Sequence, residues 1–415
     1  METFTSIVLY IALFSGLYYQ IFLLVTFFEE FEEKASEGTE QRRIDDASLP
    51  TVSITVPCWN EGRTVEKTVL SLLALDYPKD KLSILIVDDG STDNTFEIAR
   101  RLARRYSIVR AVRQENGGKF TALNRGIQTS TSEFFSCLDA DSAVHPQALR
   151  RMIPYFTSDK VMAVTPALRV SEPRGILQRL QRIEYNIGVF SKKMLGLNDA
   201  IHVTPGPFSL FRRSVFGEIG LFHHAHNTED MEIAFRIQAR GYRIENCHDA
   251  YVETITPNTL KKLYRQRTRW TYGFIQNCID YRSFFFNKRY GNMGLFTLPV
   301  AILSITTALI LTGIALYHFI KNSLYHLQQM NMVGIHLSMP SMSWFYMNTE
   351  TAGILALFLL AFGISIMFIG QKMSDNGSKP SLDMLYFLVA YGFIAPLWLG
   401  KAVYNTVTSR KTPWR

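Results

Sequence analysis

No formally charged residue occurs from Thr3 to Phe28, from Tyr290 to Ile320 or from Thr351 to Gln371. A helix that crosses a hydrocarbon core of ~30 Å needs about 20 apolar residues, and each stretch is long enough. A further apolar run starts at Met384 and continues past Lys401, whose stem can carry its ammonium to the interface. Four membrane helices are therefore predicted. A content of 47% hydrophobic and 13% aromatic residues in 415 would suit a large soluble enzyme equally well, so the segregation of charge decides.

The first apolar run has no basic flank before it, exceeds the length of a signal-peptide core, and leads into EEFEE instead of a small-residue cleavage site. It reads as an uncleaved anchor over residues 1–28. Ordinary soluble composition follows, enough for one large domain with a buried core. Lys261, Lys262, Arg265, Arg267, Arg269, Arg282, Lys288 and Arg289 crowd before the second span, and Arg42 and Arg43 follow the first. Cytoplasmic flanks carry such an excess, which predicts a multi-pass protein of the cell membrane with its large domain, where any chemistry should lie, in the cytoplasm. Four spans would then place the tail SRKTPWR outside, against the same rule, so either the count is wrong by one or the tail is an exception.

The net charge of +8 raises the question of nucleic acid, but the basic residues gather beside a span and no RNA-binding signature is present. No nucleic-acid partner is expected; membrane lipids with anionic headgroups are. Cys58, Cys137, Cys247 and Cys278 form no CxxC pair and no metal-ligand spacing, as suits reduced thiols.

Within the soluble region short β-rich runs alternate with helical patterns. Val52 to Val56, Leu82 to Val87, Ile108 to Val112 and Glu133 to Leu138 are the strands, with helix-like stretches between them. This alternation predicts an α/β fold with a mostly parallel sheet, in which ligands bind beyond the carboxyl ends of the strands. Asp88 and Asp89, and Asp139 and Asp141, all stand at that edge. Two pairs of anions facing one cleft need a cation between them, and hard oxygen donors suit Mg2+ or Mn2+, which in turn holds phosphate oxygens. GGKF is not a P-loop, because Arg113 stands six before Lys119 and Phe120 follows it, and no GxGxxG follows the first strand. ATP hydrolysis and dinucleotide redox chemistry are disfavoured.

PCWNEG (Pro57 to Gly62), VDDGSTDNT (Val87 to Thr95), ENGGKFTALNRG (Glu115 to Gly126), DADS (Asp139 to Ser142), TED (Thr228 to Asp230) and QRTRW (Gln266 to Trp270) occur in that order. In this order the motifs, which cover residues 50 to 275, resemble those of the family 2 glycosyltransferases, inverting enzymes with a GT-A nucleotide-sugar fold. The spans and the Q-x-x-R-W block narrow the resemblance to membrane synthases that extend cellulose, hyaluronan, chitin or poly-N-acetylglucosamine. One anchor before the domain and three spans after it are most similar to the poly-N-acetylglucosamine branch. Trp59 departs from the commoner tyrosine version of its motif, and GPFSLFRR (Gly206 to Arg213) shares its Gly-Pro with the hyaluronan and chitin branches, which leaves the sugar open. The resemblance divides the chain into the anchor, a GT-A domain over 29–260, interfacial helices with QxxRW over 261–292, and about three transmembrane helices over 293–415.

The resemblance also implies roles. Asp141 would hold a metal that bridges the diphosphate of a UDP-sugar, with Asp139 at the ribose or the metal's waters. Asp88 and Asp89 would read uracil and ribose, and Lys119 would lie near base and phosphates. Asp230 is the implied base that deprotonates the acceptor hydroxyl, with Glu229 beside it in the substrate site. Gln266 and Arg269 would approach the diphosphate, and Trp270 would stack on the acceptor sugar. Taken singly, D-G-S or D-x-D is more often a solvated turn, and Thr228 or Asp230 would cap the following helix, whose N-terminus should lower the Asp230 pKa. Arg265 and Arg267 fit a basic face on anionic lipid and are assigned no chemistry. GPFSLFRR fits either an acceptor-site turn or a β-turn into a buried strand. His223, His224 and His226 match no zinc pattern and fit a mobile loop over the site or plain solvent exposure.

The activity implied is processive, inverting transfer of N-acetylglucosamine from a UDP-sugar donor to a growing polysaccharide acceptor, coupled to translocation. A hyaluronan-, chitin- or cellulose-like synthase, a non-processive lipid-linked glycosyltransferase and a catalytically dead scaffold are the alternatives. A small membrane partner subunit is compatible with this organisation, and no regulatory domain is expected within the chain.

Overall fold

The computed structural model describes residues 2–37, 45–333, 351–374 and 382–410. Arg42, Arg43 and the tail from residue 411, invoked above for orientation, lie outside the described residues.

The strands are β1 Val52–Cys58, β2 Leu82–Asp89, β3 Val109–Gln114, β4 Phe134–Cys137, β5 Ser142–Val144, β6 Val161–Val170, β7 Leu210–Arg212 and β8 Arg243–Thr254. They form one sheet in the order β3-β2-β1-β4-β7-β6-β8-β5. The four predicted runs are β1 to β4, and they pair with one another in parallel. β7 then runs antiparallel between β4 and β6, β8 returns parallel to β6, and β5 closes the edge antiparallel to β8. The chain winds outward from β1 to β3 and then crosses to β4, so the order reverses between β1 and β4. Ligands of such sheets sit at that crevice.

The helices are α1 Glu2–Glu37, α2 Val65–Leu73, α3 Thr95–Arg105, α4 Lys119–Thr129, α5 Ala148–Met152, α6 Ile176–Leu197, α7 Val215–Ile219, α8 Glu229–Ala239, α9 Leu260–Asp280, α10 Leu298–Val333, α11 Thr351–Ser374 and α12 Asp383–Val407. Every residue of β1 except Pro57 is buried, Ser53 and Thr55 included, because both faces of the strand are covered. On one face Val52, Ile54 and Val56 pack with Val69, Leu72 and Leu149. On the other, Phe135 and Leu123 join Phe190, Phe211 and Phe235, and this second core runs on without a break to Leu23 of α1, Leu298 of α10 and Ile366 of α11.

Four helical segments, Thr3–Glu30, Met293–Gln329, Thr351–Ser374 and Asp383–Val407, are long and apolar enough to cross a membrane, in agreement with the predicted number. Their outer faces display Phe14, Phe319, Phe358 and Phe393. α6, which the strand pattern did not trace, docks the sheet against them. Its Lys193 Nζ lies 3.1 Å from Glu30 Oε1 of α1. Arg179 and Arg182 lie 3.6 and 3.7 Å from the carboxylate of Asp383 at the start of α12. Gly370 of α11 packs on the α6 backbone so closely that a Cβ there would stand 2.9 Å from the carbonyl carbon of Asn186.

Candidate active site

The parallel register sets Arg113 opposite Asp88 and Gln114 opposite Asp89 at the ends of β2 and β3. Side chains opposed in this way touch. Arg113 Nε lies 3.1 Å from Asp88 Oδ2, and the Ser91 amide donates to Asp88 Oδ1 at 3.3 Å. Asp89 Oδ1 accepts from Gln114 Nε2 at 2.8 Å and from the Gly117 amide at 3.1 Å, while Oδ2 accepts from the Gly118 amide at 2.9 Å. Gly118 has φ +91°, a conformation that favours glycine, and it immediately precedes α4. Asp89 thus shapes the loop that launches Lys119.

Lys119 forms an ion pair with Asp139 Oδ1, and its ammonium lies 3.6 Å from Glu229 Oε1. Burial disfavours the ammonium, but Asp139 and then Glu229 outweigh it and hold the lysine above its ordinary pKa. Gly206 lies against this pair: a Cβ there would meet the Lys119 ammonium and stand 3.0 Å from Asp139 Oδ2. The Gly206 carbonyl accepts from Cys137 Sγ at 3.1 Å, and the Phe208 amide donates to Cys137 O at 2.6 Å. GPFSLFRR is therefore a turn into the buried strand β7, and its first residue abuts the Lys119–Asp139 ion pair.

Asp141 follows with its Oδ1 accepting from Ser142 Oγ at 3.1 Å. Burial, then the charges of Asp139 and Glu61, push its pKa up to about 6. Carboxylates that repel each other in this way are a fitting seat for a divalent cation. Among the described residues no three His, Cys, Asp or Glu side chains gather into a protein-only cage.

Asp230 stands in the first turn of α8. Burial and neighbouring Glu229 push its pKa up to about 6, against the opposing pull of Lys119 and Arg269. The expected lowering by the helix N-terminus is overturned, because desolvation and a like charge outweigh the terminus. A carboxylate poised near neutrality suits a general base. The Asp230 carbonyl accepts from the Thr204 amide at 3.0 Å and from the Thr204 hydroxyl at 2.8 Å. Thr228 makes no side-chain cap on α8. Its hydroxyl donates to Ala225 O at 3.0 Å and accepts from Asn277 Nδ2 at 3.1 Å, which ties the TED motif to α9.

The histidine loop is held from three sides. His226 Nε2 contacts Asp280 Oδ2 at 2.9 Å, His224 meets Phe120 edge-on with centroids 5.8 Å apart, and His223 lies 3.9 Å from Glu232. Ala225, His226 and Asn227 all have left-handed φ (41°, 56° and 63°), a strain of roughly 1–2 kcal/mol per residue stored immediately before TED.

Gln266, Arg269 and Trp270 lie on α9, as the spacing predicts, and Arg269 Nη1 donates to Asn227 O at 2.9 Å. Arg265 is exposed, but Arg267 is only 4% exposed, so its expected place on a lipid-facing basic surface is not what is found. The reason is Glu184 of α6, whose Oε2 lies 2.6 Å from Arg267 Nη2. Sequence reasoning also passed over Thr204, Glu184 and Lys192, whose ammonium is pushed down to about 8 by burial despite the opposing charge of Asp230.

Residues 50–273 match the family described as glycosyltransferase like family 2. Poly-beta-1,6-N-acetyl-D-glucosamine synthase of Staphylococcus aureus (strain COL) is 32% identical over 273 residues, 65% of this chain and 65% of that protein. Its counterpart in Staphylococcus epidermidis (strain ATCC 35984) is 31% identical over 276 residues, 66% of each chain. This chain thus spans about two thirds of the length of these relatives. A mannosyltransferase from Pyrobaculum calidifontis, solved in complex with GDP-Man and Mn2+, superposes with a TM-score of 0.60 at 19% identity, over 97% of this chain and 99% of that one, a likeness of fold. The span from 50 to 273 holds the acidic residues at the strand ends, the TED motif and the whole of QRTRW.

Proposed function

The chain belongs to the glycosyltransferase-like family 2, and we propose that it is a membrane synthase adding N-acetylglucosamine from a UDP-sugar to a growing β-linked polysaccharide. In this reading residues 1–28 anchor the chain, 29–260 form a cytoplasmic transferase domain, 261–292 lie at the interface and 293–415 cross the membrane, giving the polymer a path outward. The observation that carries the reading is Asp230: a carboxylate raised to about 6, gripped through its backbone and set in one cleft with Lys119, Asp139 and Glu229.

Asp88 and Asp89 frame the uracil and ribose, Asp89 by fixing the Gly117 and Gly118 backbone. Lys119, Gln266 and Arg269 offer cationic and amide donors to the diphosphate. Mg2+ or Mn2+ on Asp141, with Asp139 beside it, would neutralise charge building on the departing UDP, so no protein acid is required. Trp270 carries the acceptor sugar on its face. Asp230 removes the acceptor proton as the hydroxyl attacks the anomeric carbon opposite UDP, which inverts an α-linked donor to a β linkage. The choice of N-acetylglucosamine is supported by the likeness to the staphylococcal synthases.

The test is purified full-length protein in lipid vesicles, given in turn radiolabelled UDP-N-acetylglucosamine, UDP-glucose and UDP-glucuronate with Mg2+ or Mn2+, and Asp230→Asn as control. Polymer from UDP-N-acetylglucosamine that is absent in the variant supports the proposal. Polymer from another donor alone replaces the sugar, and a single-sugar glycolipid overturns processive extension.

A further inference from the structure

One carboxylate oxygen joins three helices behind Trp270. Glu184 Oε2 of α6 receives Arg267 Nη2 of α9 at 2.6 Å and the Tyr391 hydroxyl of α12 at 2.8 Å. The same guanidinium donates from Nη1 to Gln266 Oε1 at 2.8 Å, and its Cζ lies 4.3 Å from the centre of the Trp270 ring. Arg267 is buried, and Glu184 and then Tyr185 hold its charge firmly in place against the cost of burial. Tyr391 is itself wedged between rings of its own helix, 4.3 Å from Phe387 and 5.9 Å from Trp398, centre to centre.

A surface arginine on lipid would need none of this. A planar cation stacked on an indole and hydrogen-bonded to a fixed carboxylate defines both the height and the tilt of the ring. A buried ion pair adds little net stability over an apolar substitute, whereas it does specify geometry. Here the geometry passes from an apolar helix to the aromatic residue of QxxRW.

We propose that Tyr391, Glu184 and Arg267 are positioning residues that set the indole of Trp270 relative to helix α12, and so register the acceptor end of the polymer with the mouth of its path through the helices. The inference rests on the acceptor role proposed above for Trp270. A growing chain is released when its end leaves the platform before the next transfer. Loosening the ring therefore raises release relative to extension, and product length falls while the donor contacts at the strand ends are unchanged.

The experiment compares the full-length protein in lipid vesicles with Tyr391→Phe, Arg267→Lys and Trp270→Ala, reading polymer length and the KM for UDP-N-acetylglucosamine. Tyr391→Phe removes one hydroxyl and keeps the ring packing. It should shorten the mean product about fivefold, the factor a single net hydrogen bond supplies, with donor KM unchanged. Arg267→Lys keeps the charge opposite Glu184 but loses the planar stack, and should shorten the product at least as much. Trp270→Ala should shorten it most. If Trp270→Ala shortens the product while Tyr391→Phe and Arg267→Lys both give wild-type lengths, the positioning inference fails and the platform stands. If Trp270→Ala leaves length unchanged, the platform itself falls and the inference with it. A rise in donor KM in Tyr391→Phe that accounts for its shortening would also overturn the inference, because it would trace the effect to the donor site.

Discussion

Thr204 grips the backbone of Asp230 twice, through its amide at 3.0 Å and its hydroxyl at 2.8 Å. The grip leaves the Asp230 carboxylate free for chemistry while its main chain stays fixed. Thr204→Val keeps shape and amide but loses the hydroxyl bond, and should lower kcat about fivefold with donor KM unchanged. Steady-state UDP release measures both, and a shift in KM alone would show that Thr204 serves the donor.

Gly206→Ala places a methyl group against the Lys119 ammonium and 3.0 Å from Asp139 Oδ2. Lysine is flexible and will yield, which separates the ion pair without unfolding the sheet. Donor KM should rise on the order of tenfold, the scale of one charge-assisted contact, with the melting temperature nearly unchanged. Wild-type KM in this variant would mean that the pair does not contribute to donor binding.

The raised pKa of Asp230 gives two linked expectations. As a base it must be ionised, so turnover should fall as pH drops through about 6 and reach a plateau above it. Its folded value lies above the unfolded value of ~4, so the native state binds the proton more tightly. Stability therefore declines as pH rises from about 4 to about 6, and above that the ionised group costs at most about 3 kcal/mol. Asp230→Asn should abolish turnover yet melt higher than wild type at neutral pH without metal or donor. A lower melting point would mean that the charge is compensated by Lys119 and Arg269.

For Asp141 the same logic concerns a cation. Protons and metal compete for this carboxylate, so the affinity for Mn2+ in the presence of UDP should fall about tenfold per pH unit below about 6. Calorimetric titrations at several pH values measure this, with Asp141→Asn expected to remove both the binding and its pH dependence. An affinity indifferent to pH would place the metal elsewhere.

The strands from Val52 to Cys137 were legible because each is a short β-rich run that ends at a turn or an acidic residue. The apolar helices were legible from missing charge alone. Beyond Leu138 the pattern fades for physical reasons. β6 contains Pro166, β8 mixes buried Ile244 and Val252 with charged neighbours, and α6 carries Glu184 and Lys193 into its packed face. Arg267 was misread because its counter-charge lies 83 positions away, and Tyr391 is 207 positions from the carboxylate it binds. Local periodicity cannot see such pairs. Asp139 and Lys119 stand out in the sequence as motif positions, but the closeness of Gly206 to both emerges only from the turn that leads into β7.

Helix α6 belongs to the sheet's core through Phe190 and Met194, and to the apolar helices through Lys193, Asn186 and Glu184. The sheet domain is consequently not a detachable cartridge. Cut free on both sides, after α1 and near residue 280, it would expose an unroofed flank where α1 and α11 had lain, leave Lys193 without Glu30, and strip Glu184 of its phenol. Grafting this catalytic unit onto a foreign set of helices would require rebuilding α6 first.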